Sequence, residues 1–105
     1  MASQYFPAQV ATLAGTGSTA TLIAAANHTQ ARKVWKLLVA NSCTGGIAAT
    51  FSYTTLGTAG TLTLEVPATS TLVLPYDGAE YINGDPNTAV SVNAPTSVTI
   101  EAYYD

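Results

Sequence analysis

Apolar and polar side chains alternate one by one along short stretches of this chain, most cleanly in Ile47-Ala48-Ala49-Thr50-Phe51-Ser52-Tyr53-Thr54 and Thr61-Leu62-Thr63-Leu64-Glu65-Val66. A period of two puts successive side chains on opposite faces of a strand. Thr, Val, Ile and Tyr, which fill these stretches, suit a pleated surface. Similar patterns run over Gln9 to Ala14, Thr19 to Ala25, Arg32 to Asn41, Ser70 to Leu74, Glu80 to Asn83, Thr88 to Asn93 and from Val98 to the C-terminal tyrosines. Turn-forming residues separate them: Gly15-Thr16-Gly17-Ser18, Asn41 to Gly46, Pro67-Ala68-Thr69, Asn83 to Asn87 and Ala94-Pro95-Thr96. Eight or nine short strands at this spacing predict an all-β fold, an antiparallel, jelly-roll-like β-sandwich.

The alternation also assigns faces. Within Arg32 to Asn41 the row without lysine, Trp35, Leu37 and Val39, is expected to face the core. With Phe51, Leu62, Leu64, Leu72, Val90, Val98 and Ile100 it forms the expected core. Leu38 shares the outward face of Lys36, and Ile23 and Val73 sit among threonines on outward positions. Apolar residues gathered on an outer face mark a contact site. Residues 1–7, carrying Tyr5, Phe6 and Pro7, read as an N-terminal arm that grips a neighbour, and residues 8–105 as a single sandwich domain. Tyr5, Phe6, Pro7, Ile23, Leu38 and Val73 are therefore the expected partner-binding residues.

Composition narrows the function. A chain of 105 residues makes one domain. Cys43 is its only cysteine, so neither an internal disulfide nor a cysteine-based metal site can form. The net charge is −3, and Arg32, Lys33 and Lys36 are the whole basic inventory. That is too little to neutralise a phosphate backbone, so no nucleic-acid partner is expected. No stretch approaches the roughly 20 apolar residues of a membrane helix, and Met1-Ala2-Ser3-Gln4-Tyr5 has no signal-peptide character. No membrane partner is expected. Only 9% of residues are charged, whereas a free-standing domain carries more charge for solubility. A surface of Thr, Ser, Ala and Asn suits a protein covered by neighbours.

Candidate chemistry is sparse. A nucleophile triad would need His28, the only histidine, with Ser18 or Ser42 and Asp77, and no local signature supports one. Asp77, Glu80 and Asp85 lie among Asn83 and Asn87, but Asp, Asn, Gly and Pro are what turns require, and the order does not fit a calcium loop. Arg32-Lys33-Val34-Trp35-Lys36 mixes basic and aromatic residues, yet alternation turns Trp35 away from the lysine face. Thr19-Ala20-Thr21, Thr61-Leu62-Thr63 and Thr69-Ser70-Thr71 lack the long repeat of an ice-binding array. No enzyme, cofactor or metal site is expected. A carbohydrate-binding module remains a rival, with Tyr76, Tyr81, Tyr103 and Tyr104 as sugar platforms.

Thr21-Leu22-Ile23-Ala24-Ala25-Ala26-Asn27, followed by Arg32 to Ser42, then Leu72-Val73-Leu74-Pro75 and Val98-Thr99-Ile100-Glu101, resembles small β-sandwich structural proteins encoded among the virion genes of tailed bacteriophages. The likeness covers roughly Thr19 to Tyr104 and consists of strand patterns. Where such proteins often carry Gly-Trp or Gly-Phe after the proline loop, this chain has Gly78-Ala79-Glu80-Tyr81, and its arm has no clear counterpart. The resemblance implies a non-enzymatic virion component, a capsid decoration or cement protein before a tail, neck or baseplate subunit. Its expected partners are the major capsid protein or other virion proteins and further copies of itself, a homotrimer first.

Overall fold

A computed structural model describes residues 9–25 and 31–105. The expected arm with Tyr5, Phe6 and Pro7, and His28, lie outside the described residues. The strands are β1 (Gln9–Ala14), β2 (Thr19–Ile23), β3 (Arg32–Asn41), β4 (Ile47–Thr55), β5 (Thr58–Val66), β6 (Ser70–Leu74), β7 (Ile82–Gly84), β8 (Val90–Asn93) and β9 (Val98–Tyr104). No helix occurs among the described residues. Prolines set several strand ends: β5 stops before Pro67 and β6 before Pro75, where a residue without an N–H cannot extend a ladder.

The pairing is nested. β4 pairs β5, β3 pairs β6, β2 pairs β8 and β1 pairs β9, all antiparallel. The chain is in effect one long hairpin whose two arms roll up together. Rolling yields two sheets, β1-β9-β3-β6 and β2-β8-β4-β5. The short β7 is added beside β6, pairing with the start of β3 through Arg32↔Gly84, Lys33↔Asn83 and Val34↔Ile82. With β7 set aside, this is the eight-stranded order of a jelly roll. The innermost hairpin closes with Thr55↔Thr58 around Leu56 (φ 50°) and Gly57 (φ 77°). Positive φ at both loop positions is the pattern of a type I′ turn, whose twist matches that of the strands.

Between the sheets lies one core. Leu37, Val39, Phe51, Val90, Val98 and Ile100 are buried as the alternation requires, joined by Val34, Ala49, Val66, Ile82, Val92 and Ala102. Leu62, Leu64 and Leu72 pack against this cluster but stay half-buried.

Two facing assignments are corrected. In β3, Val34 pairs with Tyr104 and Lys36 with Tyr103, so the strand carries one extra residue there. That bulge breaks the alternation. Val34 takes the core position, fully buried, and Trp35 is only half-buried, its ring centroid 5.8 Å from that of Tyr76. In β2, Thr21 pairs with Ser91 and Ile23 with Val90, another such shift. It brings both Leu22 and Ile23 into the core, and Ile23 is 3% exposed. Ile23 is a packing residue, not an outward contact residue.

Asn41, at the end of β3, is the buried polar residue of the described core. Its amide donates to the carbonyls of Gly45 (3.0 Å), Val66 (3.4 Å) and Pro67 (3.1 Å). Its Oδ1 accepts from the Cys43 N–H at 2.9 Å and the Ser97 hydroxyl at 3.3 Å. One side chain thereby ties together the β3–β4 loop, the end of β5 and the β8–β9 turn, and satisfies its own polar atoms.

Candidate interaction surface

Strand register places the outward residues of the first sheet in rows. Thr12, Glu101, Leu38 and Val73 form one row across β1, β9, β3 and β6. Ala14, Thr99, Ala40 and Thr71 form the next, and Val10, Tyr103 and Lys36 the row on the other side. Leu38 and Val73, expected as contact residues, are thus direct cross-strand neighbours on this face. Leu38 is half-buried by its neighbours, while Val73 and Val10 remain about half exposed. The structure brings together two of the six expected partner residues. Ile23 is in the core, and Tyr5, Phe6 and Pro7 lie outside the described residues.

The basic residues of β3 lie against aromatic rings. The Lys36 ammonium lies 5.0 Å from the Tyr103 ring centroid, that of Lys33 5.9 Å from Trp35, and the Arg32 guanidinium 5.7 Å from Tyr104. Such contacts attract a cation to the ring face. Arg32 Nη1 also donates to the Asp105 carbonyl, and the Asp105 carboxylate accepts the Lys33 N–H. The Tyr103 hydroxyl donates to Glu101 Oε1 at 3.1 Å. That bond, then the Glu101 charge, then burial, hold the Tyr103 phenol above its ordinary pKa of 10.0.

The tyrosines do not form one sugar platform. The Tyr81 ring packs against the core and its hydroxyl donates to the Pro75 carbonyl at 2.6 Å. Burial, then the charge of Asp77, raise its pKa. The Tyr104 ring also packs against the core, and its hydroxyl is bonded to Gln9 Oε1. Only Tyr103, on the outer face, and Tyr76, beside Trp35, remain candidates for a platform.

The second sheet presents Thr19, Asn93, Thr50 and Thr63 in one row and Thr21, Ser91, Ser52 and Thr61 in another. No charge interrupts these rows; Glu65 stands beyond them, opposite Ala48. Thr50 and Thr63 hydroxyls are 3.2 Å apart across the strands.

Two of the carboxylates of the turn-rich segment, Asp77 and Asp85, accept loop N–H groups. Asp77 accepts the Ala79 N–H, and Asp85 accepts the N–H groups of both Leu56 and Gly57. Among the described residues no group of His, Cys, Asp and Glu converges as a metal site. Cys43 is an exposed thiol in the turn between β3 and β4. The sequence reading missed Leu56, the most exposed large apolar residue described at 93%. An apolar residue before glycine between two alternating runs was the available signal. No family model, curated protein or solved structure matches the chain.

Proposed function

We propose that this protein is a non-enzymatic virion structural subunit, a capsid decoration or cement protein that docks on the outer shell of a phage particle. The observation that carries the reading is the character of the two sheet faces. One presents two rows of hydroxyl and amide side chains without a charge. The other presents Leu38, Val73 and Val10 among Ala and Thr, with Lys36 and Glu101 as its central charges. Broad faces this poor in charge leave a free domain little to keep it apart from its neighbours. They suit burial against other subunits, with further copies of the chain and the major capsid protein as partners. The strand-pattern resemblance supplies the phage setting.

Stripped particles and purified protein test this. Wild type should rebind, Leu38→Asp should not, and moderate salt should weaken wild-type binding little, because apolar contacts are not screened. Full rebinding of a folded Leu38→Asp variant would overturn the docking face. Copy number per particle separates a shell location from a tail, neck or baseplate one.

A further inference from the structure

β5 is the last strand of its sheet, and among the described residues no strand pairs with its outer side. Its nine residues keep an unbroken register with β4 from Val66 to Thr58. They include no Pro, Lys or Arg, and Glu65 is their one charge. Proteins guard free edges with prolines, lysines, bulges or short strands. The edges β2 and β6 of this sandwich are guarded in that way: each has five residues, β2 with a register shift and β6 running into Pro75. β5 has none of these guards. Alternate residues along it turn their N–H and C=O groups outward, as at any antiparallel edge.

A separate observation marks the same side of the molecule. Leu62 and Leu64 point toward the core yet remain half-buried. So do Leu72 and Leu74 on β6, the neighbouring edge of the other sheet. Among the described residues, four leucines on this side of the sandwich are only partly covered.

We propose that β5 pairs antiparallel with β5 of a second copy about a twofold axis, fusing two four-stranded sheets into one of eight and covering the leucine strip. The strand is complementary to itself. Centred on Leu62, the pairing sets Thr61 opposite Thr63, Ala59 opposite Glu65, Thr58 opposite Val66 and the two Leu62 side chains together. A parallel pairing in register would set Glu65 against Glu65, whereas the antiparallel one carries these charges to opposite ends. The contact is isologous and joins two protomers, so it does not itself build the trimer expected from the sequence. It needs neither a capsid nor the Leu38 face, so its failure and that of the virion reading are told apart by using purified protein alone.

Sedimentation of the purified chain across a concentration series tests it, with the double variant Thr61→Lys, Thr63→Lys alongside. Both threonines are exposed on the outer face, so the substitutions spare the core while setting like charges opposite one another across the proposed pair. Wild type should form dimers, and the variant should dissociate at least tenfold more readily. A wild type that stays monomeric up to about 100 µM, or a dimer that the variant leaves intact, would overturn the proposal. Amide exchange of wild type gives an answer even if the variant does not fold. Alternate β5 amides should gain protection as concentration rises, and protection independent of concentration would count equally against the pairing.

Discussion

Asp85 holds Leu56 in a left-handed turn: Oδ1 accepts the Leu56 N–H and Oδ2 the Gly57 N–H, each at 2.8 Å. The Asp85 N–H in turn donates to Thr54 O at 2.7 Å. Leucine disfavours this conformation, because its Cβ crowds the following carbonyl. The carboxylate offsets that cost by satisfying both loop amides. Asp85→Ala should therefore lose about 1–3 kcal/mol in denaturant unfolding. Leu56→Asn, which suits the turn, should gain about 0.5–1 kcal/mol. An unchanged midpoint for Asp85→Ala would mean the turn holds itself.

Asn41 makes a second loop-to-loop tie, and this one is buried. Asn41→Ala leaves the Cys43 N–H and the carbonyls of Gly45 and Pro67 without their partner. The expected loss is about 2–4 kcal/mol, with faster amide exchange at Cys43. Asn41→Asp should not rescue it, since a carboxylate cannot donate to those carbonyls.

The bulge in β3 separates the effects of two aromatic truncations. Phe51 is fully buried between the sheets, and Phe51→Ala should cost about 3–5 kcal/mol. Trp35 is half-buried and lies outside the core cluster, so Trp35→Ala should cost clearly less. Val34→Ala should prove harmful for so small a deletion, because Val34 occupies the core position that alternation had given to Trp35. Equal losses for Trp35→Ala and Phe51→Ala would contradict the bulged register.

Tyr103 offers a pH test. Its folded pKa is raised above 10.0, chiefly by the bond it donates to Glu101. The bond requires the phenol proton, so its contribution is complete below the unfolded pKa and is lost as pH rises through the folded one. Absorbance titration, with Tyr103→Phe to assign the signal, should place this phenol above the ordinary value. Glu101→Gln removes the adjacent negative charge and should shift the titration back down. No movement on that substitution would break the link between the two residues.

Strand positions were legible because period-two alternation and turn residues report the backbone directly. β3, from Arg32 to Asn41, and β6, from Ser70 to Leu74, fall where the pattern puts them. Facing was legible only where the ladder is regular. Leu37, Val39, Phe51 and Ile100 turn inward as expected, while Trp35, expected inward, stays out of the core cluster and Ile23, expected outward, is buried in it, each beside a register shift. An extra residue in a strand inverts the parity of everything on one side of it, and no composition signal announced it here. Leu38 and Val73 were each legible as outward, but their adjacency depends on β3 pairing β6, which alternation does not encode. The role of Asn41 was hidden because its partners come from loops distant in sequence.

The nested pairing has a kinetic consequence. The β4–β5 hairpin needs only the two-residue loop of Leu56 and Gly57, so it is the cheapest contact to close. Once it has formed, β3 and β6 are already drawn near each other, then β2 and β8, and last β1 and β9. Each closure shortens the free chain that the next must span. A sandwich dominated by remote contacts folds slowly if those contacts must be found by chance; the nesting offers a route that zips outward from the middle. In folding and unfolding rates measured against denaturant, changes in the central hairpin should act mainly on folding, and changes where Gln9 meets Tyr104 mainly on unfolding.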